Sequence, residues 1–180
     1  SLRGANIDVS TNLSTALPNV NVDPDQITQV LTNLIMNAEH ALRQKGSSRR
    51  VRITSGYSDG SEHVVIKVKD NGPGVPNEIR RRIFEPFFTT KTGGRGTGLG
   101  LATVRRIVSQ SGGAIKVASS IGAGTTFSVF LPVLKTKKLS VEDESESDLS
   151  KIETTSAESH VSMELQKIDI DDQAAENSRT

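Results

Sequence analysis

Seven apolar residues, Ile27, Val30, Leu31, Leu34, Ile35, Ala38 and Leu42, recur at helical spacing between Asp23 and Gly46. No other feature constrains the fold as much, because a helix with one long apolar face needs a second layer to cover it. The ends of this helix carry their own signals. Asp23 is a good N-cap, Pro24 suits the first helical position, Gln26 stands three residues after the cap, and Gly46 is a natural stop. The rest of the body supplies strands. Ala5–Val9 reads as a short one, and Val51–Tyr57 and His63–Lys69 follow, joined by the turn-like Ser58-Asp59-Gly60. The run Val64-Val65-Ile66 marks the last of these as a central strand buried on both faces. Asp70–Pro76 is rich in turn residues and leads to a short helix at Asn77–Ile83. The glycine-rich Gly93–Gly100 opens a helix ending near Gly112. Ala114–Ala118 and Thr125–Leu131 then form a hairpin around Ile121-Gly122-Ala123-Gly124. The predicted class is mixed α/β, without internal repeats.

Composition bounds the chemistry. No run of about 18 apolar residues exists to cross a bilayer, and no basic-then-apolar signal peptide opens the chain. Cysteine is absent, which excludes disulfides and cysteine–zinc sites and suits a cytoplasmic setting. The net charge of +1 hides an asymmetry. Residues 1–135 hold 17 Lys and Arg against 9 Asp and Glu, a net +8, whereas residues 136–180 hold 5 against 12, a net −7. The body suits a polyanion such as ATP, the acidic segment can screen it, and solvated surface is the usual reading of such charges. Beyond Thr136 there is no Phe, Tyr, Trp, Gly or Pro, and Ser, Glu and Asp dominate. Such a segment buries too little apolar area to offset its chain entropy. The expected organisation is a folded domain over 1–134 and a disordered acidic tail over 135–180.

Four patches carry chemistry. Gly96-Thr97-Gly98-Leu99-Gly100 stands where a helix begins. Glycines let backbone amides approach a ligand, and a helix start offers unpaired N–H groups, so this is a candidate phosphate cradle. No Gly-Lys-Ser/Thr follows, which excludes a Walker A loop. Asp70-Asn71-Gly72-Pro73-Gly74 follows the buried strand. Its Asp is either a turn residue or a carboxylate that accepts from the adenine amino group, the glycines leaving room for the base. Asn33 and Asn37 lie one helical turn apart beside the apolar stripe. They either face solvent or bond a neighbouring strand, or they offer an amide oxygen to Mg²⁺, which keeps several waters and phosphate oxygens so that one protein oxygen can suffice. Ile83-Phe84-Glu85-Pro86-Phe87-Phe88 holds three of the five Phe and reads as a core anchor tethering the polar segment Thr89–Gly96.

In this order, and with Gly122-Ala123-Gly124-Thr125 after them, the motifs resemble the asparagine, first glycine, phenylalanine and second glycine boxes of the histidine kinase catalytic and ATP-binding domain. The resemblance covers about residues 5–132. It implies the Bergerat fold, a two-layer α/β sandwich with a mixed sheet on one side and helices on the other. It further implies that Asn37 coordinates Mg²⁺ with Asn33 beside it, and that Asp70 binds adenine over Gly72 and Gly74 with support from Thr125. Gly96, Thr97, Gly98, Leu99 and Gly100 would meet the phosphates, and Thr89–Arg95 would form the ATP lid, with Lys91 and Arg95 reaching the phosphates. The implied cofactors are ATP and Mg²⁺.

Two departures sharpen the expectation. Related ATPases of the superfamily place a Glu one turn before the metal-binding Asn to activate water, and here Asn33 occupies that position. That argues for transfer to a protein nucleophile over hydrolysis. None of His40, His63 and His160 has the context of a phosphoacceptor, so that histidine is expected on a dimerisation helix outside this chain. A response-regulator receiver domain is the implied acceptor thereafter. Neither nucleic acid nor membrane contact is expected of this stretch, and the domain alone is expected to be a monomer of a homodimeric kinase. A serine kinase of the anti-sigma-factor type and a non-catalytic nucleotide-binding module are the competing readings. Arg80-Arg81-Arg82 reads as a solvated helix face or a receiver-docking patch.

Overall fold

A computed structural model describes residues 6–43, 45–46, 48–57, 61–91 and 96–134. The tail from residue 135, the turn at Ser58-Asp59-Gly60, and Gly93, Gly94 and Arg95 of the lid lie outside the described residues. The elements in chain order are β1 (Asp8–Leu13), α1 (Pro24–Arg43), β2 (Arg50–Gly56), β3 (His63–Asp70), α2 (Gly100–Gln110), β4 (Ala114–Ser120) and β5 (Gly124–Pro132). Two single 3₁₀ turns, Asn77–Ile79 and Arg82–Phe84, precede α2. The strands form one sheet in the order β1-β2-β3-β5-β4. β1 runs parallel to β2 and every other pairing is antiparallel, so the sheet is mixed.

Both helices cover the same face of this sheet. Val30, Leu34, Ala38 and Leu42 of α1 and Val104, Ile107 and Val108 of α2 are buried with Val51, Val68, Phe127, Val129 and Leu131 from the strands. The strand residues alternate along each strand, which puts them on one side of the pleat. The two-layer sandwich implied by the sequence is therefore the observed architecture. The start of α1 follows its signals closely. The Asp23 carboxylate accepts from the Asp25 N–H at 2.8 Å and from the Gln26 side-chain amide at 3.3 Å, which satisfies donors a helix start leaves open.

Three expectations need correcting. The first strand lies at Asp8–Leu13, not Ala5–Val9, and all six of its residues are exposed. Edge strands of this kind carry no burial pattern from which to read their register. The helix expected at Asn77–Ile83 is two separate turns, interrupted at Arg80 and Arg81. β3 is central, but its second face is covered only in part: His63 is buried there against Phe130, Val65 and Lys67 are half-buried, and Lys69 is exposed. A sandwich of two layers has helices on one side of the sheet only.

Leu34 is fully buried between α1 and the sheet, whereas Met36 two residues on is 60% exposed. Leu34→Ala is expected to cost about 2–5 kcal/mol of unfolding free energy, and Met36→Ala to stay within about 0.5 kcal/mol of the parent. Urea titrations of the two variants, followed by circular dichroism, check the contrast.

Candidate functional site

One cross-strand row builds the first half of the site. Val51 of β2 pairs with Asp70 of β3, Asp70 with Thr125 of β5, and Thr125 with Ser119 of β4. The row lies on the helix-covered face, at the end of the sheet where β3 runs into its loop. Asp70 and Thr125 are 4% and 6% exposed. A buried carboxylate requires partners, and the Asp70 Oδ1 accepts the Gly72 N–H at 2.8 Å while the Thr125 N–H also bonds the carboxylate. Burial pushes the Asp70 carboxyl above its ordinary value, opposed by the backbone N–H groups of Gly72, Thr125 and Asp70 itself and by the charge of Lys45.

Glycine is required where the loop turns back on this carboxylate. A Cβ on Gly72 would lie 2.8 Å from Asp70 Oδ1 and 3.3 Å from the Ala41 Cβ. At Gly124, φ is +104° and a Cβ would stand 2.1 Å from the Asp70 carbonyl oxygen, so neither conformation nor space admits a side chain. Gly74, with φ +78°, packs in the same way against the Ser120 carbonyl. The loop is also tied across to the β4–β5 turn. The Gly122 N–H donates to the Pro73 carbonyl at 2.8 Å, and the Val75 N–H to the Ser119 hydroxyl at 2.8 Å. Asn71, within the same motif, serves the frame: its amide donates to the Ser48 carbonyl at 2.7 Å and accepts from the Arg50 N–H at 2.8 Å. Lys45 donates to the Asn71 carbonyl at 2.8 Å.

The second half lies where α1 meets the start of α2. Among the described residues no side chain caps the N-terminus of α2, which leaves its first N–H groups open to an anion. Asn33 of α1 faces that start, its Oδ1 lying 3.4 Å from where a Gly100 Cβ would be. One turn on, the Asn37 Oδ1 accepts from the Lys91 ammonium at 3.2 Å. Burial lowers the Lys91 ammonium from its ordinary value. Gly96 folds back on the same region, where a Cβ would meet the Thr89 hydroxyl at 2.6 Å and the Lys91 chain at 2.8 Å. The two ends of the lid segment are thus side by side. Thr97 and Leu99 are exposed, with the Leu99 N–H 3.4 Å from the Thr97 hydroxyl. Gly98, at φ +69°, accepts the Phe87 N–H at 3.0 Å.

The phenylalanine segment divides its labour. Phe84 meets Phe127 edge-to-face at 6.3 Å, and Phe88 packs on the core under the Arg82 guanidinium, 4.5 Å from its ring centre. Phe87 is no core anchor, being 75% exposed with a left-handed φ of 65°. Its tie to the glycine-rich segment is through its backbone N–H, which the Gly98 carbonyl accepts. The Arg80-Arg81-Arg82 run is likewise no uniform solvated face, because Arg80 turns inward and donates to the Ser119 carbonyl. Among the described residues no cluster of three or more His, Asp or Glu is arranged to hold a metal. Asn37 offers one hard oxygen, and a cationic group already lies against it. Such a donor fits Mg²⁺, whose remaining ligands are phosphate oxygens and water.

The structure brings Asn33, Asn37, Lys91, Gly96, Gly98 and Gly100, all picked out in the sequence, to one place and Asp70, Gly72, Gly74 and Thr125 to the other. Sequence reasoning misses Lys45, Asn71, Ser119 and Arg80, whose roles are contacts between distant segments. Only Asn71 carried a local hint, as part of the Asp-Asn-Gly turn.

A family model described as histidine kinase-, DNA gyrase B-, and HSP90-like ATPase matches residues 22–135. The sensor histidine kinase ZraS of Escherichia coli (strain K12) is 47% identical over 122 residues, which cover 68% of this chain and 25% of ZraS. The signal transduction histidine-protein kinase AtoS of the same strain is 41% identical over 130 residues, covering 72% and 20%. The chain spans about a quarter of the length of these curated relatives. Among solved structures, the catalytic domain of histidine kinase ThkA superposes with a TM-score of 0.62 at 36% identity, covering 73% of this chain and 82% of that one. Full-length ShkA in complex with AMPPNP gives 0.63 at 34% identity, covering 73% and 26%.

The raised Asp70 carboxyl has a consequence for stability. A carboxyl lifted above its unfolded value favours folding fully below the unfolded pKa, and that contribution is lost as pH rises through the folded one. At pH 7 the ionised Asp70 is therefore a net cost to the fold. Asp70→Asn keeps the acceptor for Gly72 without the charge. Its melting temperature at pH 7 is expected to equal or exceed the parent's, and the difference to shrink towards pH 4 as the parent's carboxyl takes up its proton. Thermal melts across that range check the sign.

Proposed function

This chain belongs to the family of histidine kinase-, DNA gyrase B- and HSP90-like ATPases, and we propose that it is the ATP-binding catalytic domain of a sensor histidine kinase. It would hold ATP with Mg²⁺ and pass the γ-phosphoryl group to a histidine on a dimerisation helix outside residues 1–180, from which a receiver domain takes it. The observation that carries this reading is the gathering of Asn33, Asn37, Lys91 and the uncapped start of α2 around one point, with a buried acceptor, Asp70, at the end of the neighbouring strand row. Identity of 40% or more to ZraS and AtoS supports the same reading. ShkA, a structural neighbour, was solved with the ATP analogue AMPPNP.

In this proposal the Asp70 carboxylate accepts a hydrogen bond from the adenine amino group while Gly72 and Gly74 leave room for the ring. The free N–H groups of α2, with the backbone of Gly96–Gly100, take the phosphate oxygens. Lys91, now bonded to Asn37, would turn to the phosphates, joined by Arg95 when the lid closes. Bound Mg²⁺ supplies charge neutralisation on the phosphates, with Asn37 as its protein oxygen. The incoming imidazole is neutral near pH 7, having an unperturbed pKa of about 6.5. Its ring nitrogen forms the bond to the γ-phosphorus as the bond from that phosphorus to the bridging oxygen breaks, and ADP leaves with that electron pair. The chain's contribution is placement and charge stabilisation. Asn33, where related hydrolases carry Glu, offers no base to activate water.

Two substitutions test the reading. Asp70→Asn removes a charge-assisted hydrogen bond of about 1.5–3 kcal/mol, so calorimetric titration is expected to show ATP binding weakened about 10- to 100-fold. Equal affinity would take Asp70 out of the adenine site. Asn37→Ala lies at a half-buried position and is expected to leave the circular dichroism spectrum intact while abolishing Mg²⁺-dependent phosphoryl transfer to a supplied dimerisation helix. Unchanged transfer would reduce Asn37 to a structural residue.

A further inference from the structure

The Ser119 hydroxyl stands at the centre of three hydrogen bonds whose directions can be worked out from the chemistry of their partners. It lies 2.8 Å from the Gly124 carbonyl oxygen, 2.8 Å from the Val75 N–H nitrogen and 3.0 Å from the Thr125 hydroxyl. A hydroxyl has one proton to give and two lone pairs to receive. A carbonyl only accepts, so the Ser119 proton goes to Gly124. A backbone N–H only donates, so Val75 takes one lone pair. The remaining contact, with Thr125, leaves Ser119 a lone pair and no proton. Thr125 must therefore donate, and its own proton is committed to Ser119.

What remains on the Thr125 hydroxyl is two lone pairs. Thr125 is the cross-strand partner of Asp70 on the helix-covered face, and both are buried. The Asp70 carboxylate is itself an acceptor, held by the N–H groups of Gly72 and Thr125. The side chains of this buried pair thus present acceptors only. That polarity comes from the backbone groups of Gly124 and Val75, relayed through one serine.

We infer that Ser119 is a positioning residue that fixes the Thr125 hydroxyl as an acceptor and so sets the pocket for a purine bearing an amino group, against one bearing a carbonyl, at the six position. The inference rests on the reading of Asp70 as the base-binding residue. Adenine carries two N–H donors at that position and hypoxanthine an oxygen acceptor, so acceptors aimed directly at the six position favour the first and repel the second there. Without the Ser119 hydroxyl, the Thr125 proton is free to rotate into the pocket and to meet such an oxygen.

Calorimetric titration of ADP and IDP into the full chain tests this. Ser119→Ala is expected to weaken ADP and to reduce the ADP-to-IDP affinity ratio by about 5- to 10-fold, the size of one neutral hydrogen bond. Ser119→Thr, which keeps the hydroxyl, is expected to restore the ratio. If Ser119→Ala fails to fold, Ser119→Cys replaces it, with a sulfur that is a weak acceptor and donor. Equal loss of ADP and IDP affinity, leaving the ratio at the parent's value, would make Ser119 a structural residue and overturn the inference. Asp70→Asn is the control that separates the two ideas. If it leaves ADP affinity unchanged, the base-site reading and this inference both fall, whereas ADP binding that depends on Asp70 with a ratio indifferent to Ser119 removes the inference alone.

Discussion

A carboxylate taken out of water has to be held by N–H donors, and this requirement at Asp70 organises much of the molecule. Besides its own N–H, two backbone donors act on it, one from the loop that follows and one from the adjacent strand. The first demands a residue without a side chain at Gly72, and the second demands that β5 lie beside β3 in the register that sets Thr125 opposite Asp70. Gly124, one residue earlier, then has to pass so close to the Asp70 carbonyl that no side chain fits. Motifs that look separate along the sequence are thus parts of one solution to the burial of a single charge. The fold carries the cost of burying this charge, and in the proposed function a charged acceptor is useful at that position.

The helical layer supplies the other half of the arrangement. The apolar stripe of α1 fixes its rotation on the sheet, and the same rotation sends Asn33 and Asn37 to the margin of the core beside the start of α2. Packing therefore decides the direction of the polar residues. Asp70 and Thr125 thus come from the strand layer and the asparagines from the helical layer.

How much of this was legible in the sequence depended on whether a signal was periodic or tertiary. The α1 stripe with its Asp23 cap, the β2 and β3 runs and the β4–β5 hairpin were each readable because burial on one face leaves a repeat of 3.6 or 2 residues. β1 was misplaced because an edge strand exposed at all six positions leaves no such repeat. Phe87 was read as an anchor on residue type alone, and only its left-handed backbone and its bond to Gly98 reveal why the ring points outward. Asp70, Asn37 and the glycines could be picked out by their order along the chain. Ser119 and Arg80 could not, since a serine late in a strand and an arginine in a basic run acquire meaning only from neighbours that the linear sequence does not show.

The pairing order of the sheet also governs when a newly made chain can possess a site at all. β3 takes β2 on one side from nearby in sequence, but its other neighbour is the last strand of the domain, with α2 and β4 made in between. Contacts between segments so far apart form slowly, because the intervening loop must first be closed. During synthesis β3 therefore emerges with Val64, Ile66 and Val68 along an unpaired edge, a surface prone to the wrong partner. Asp70 lacks its Thr125 donor for the same interval. Closing the sheet with β5 removes the hazard and sets Thr125 opposite Asp70 in one event, so a partly made chain lacks that arrangement.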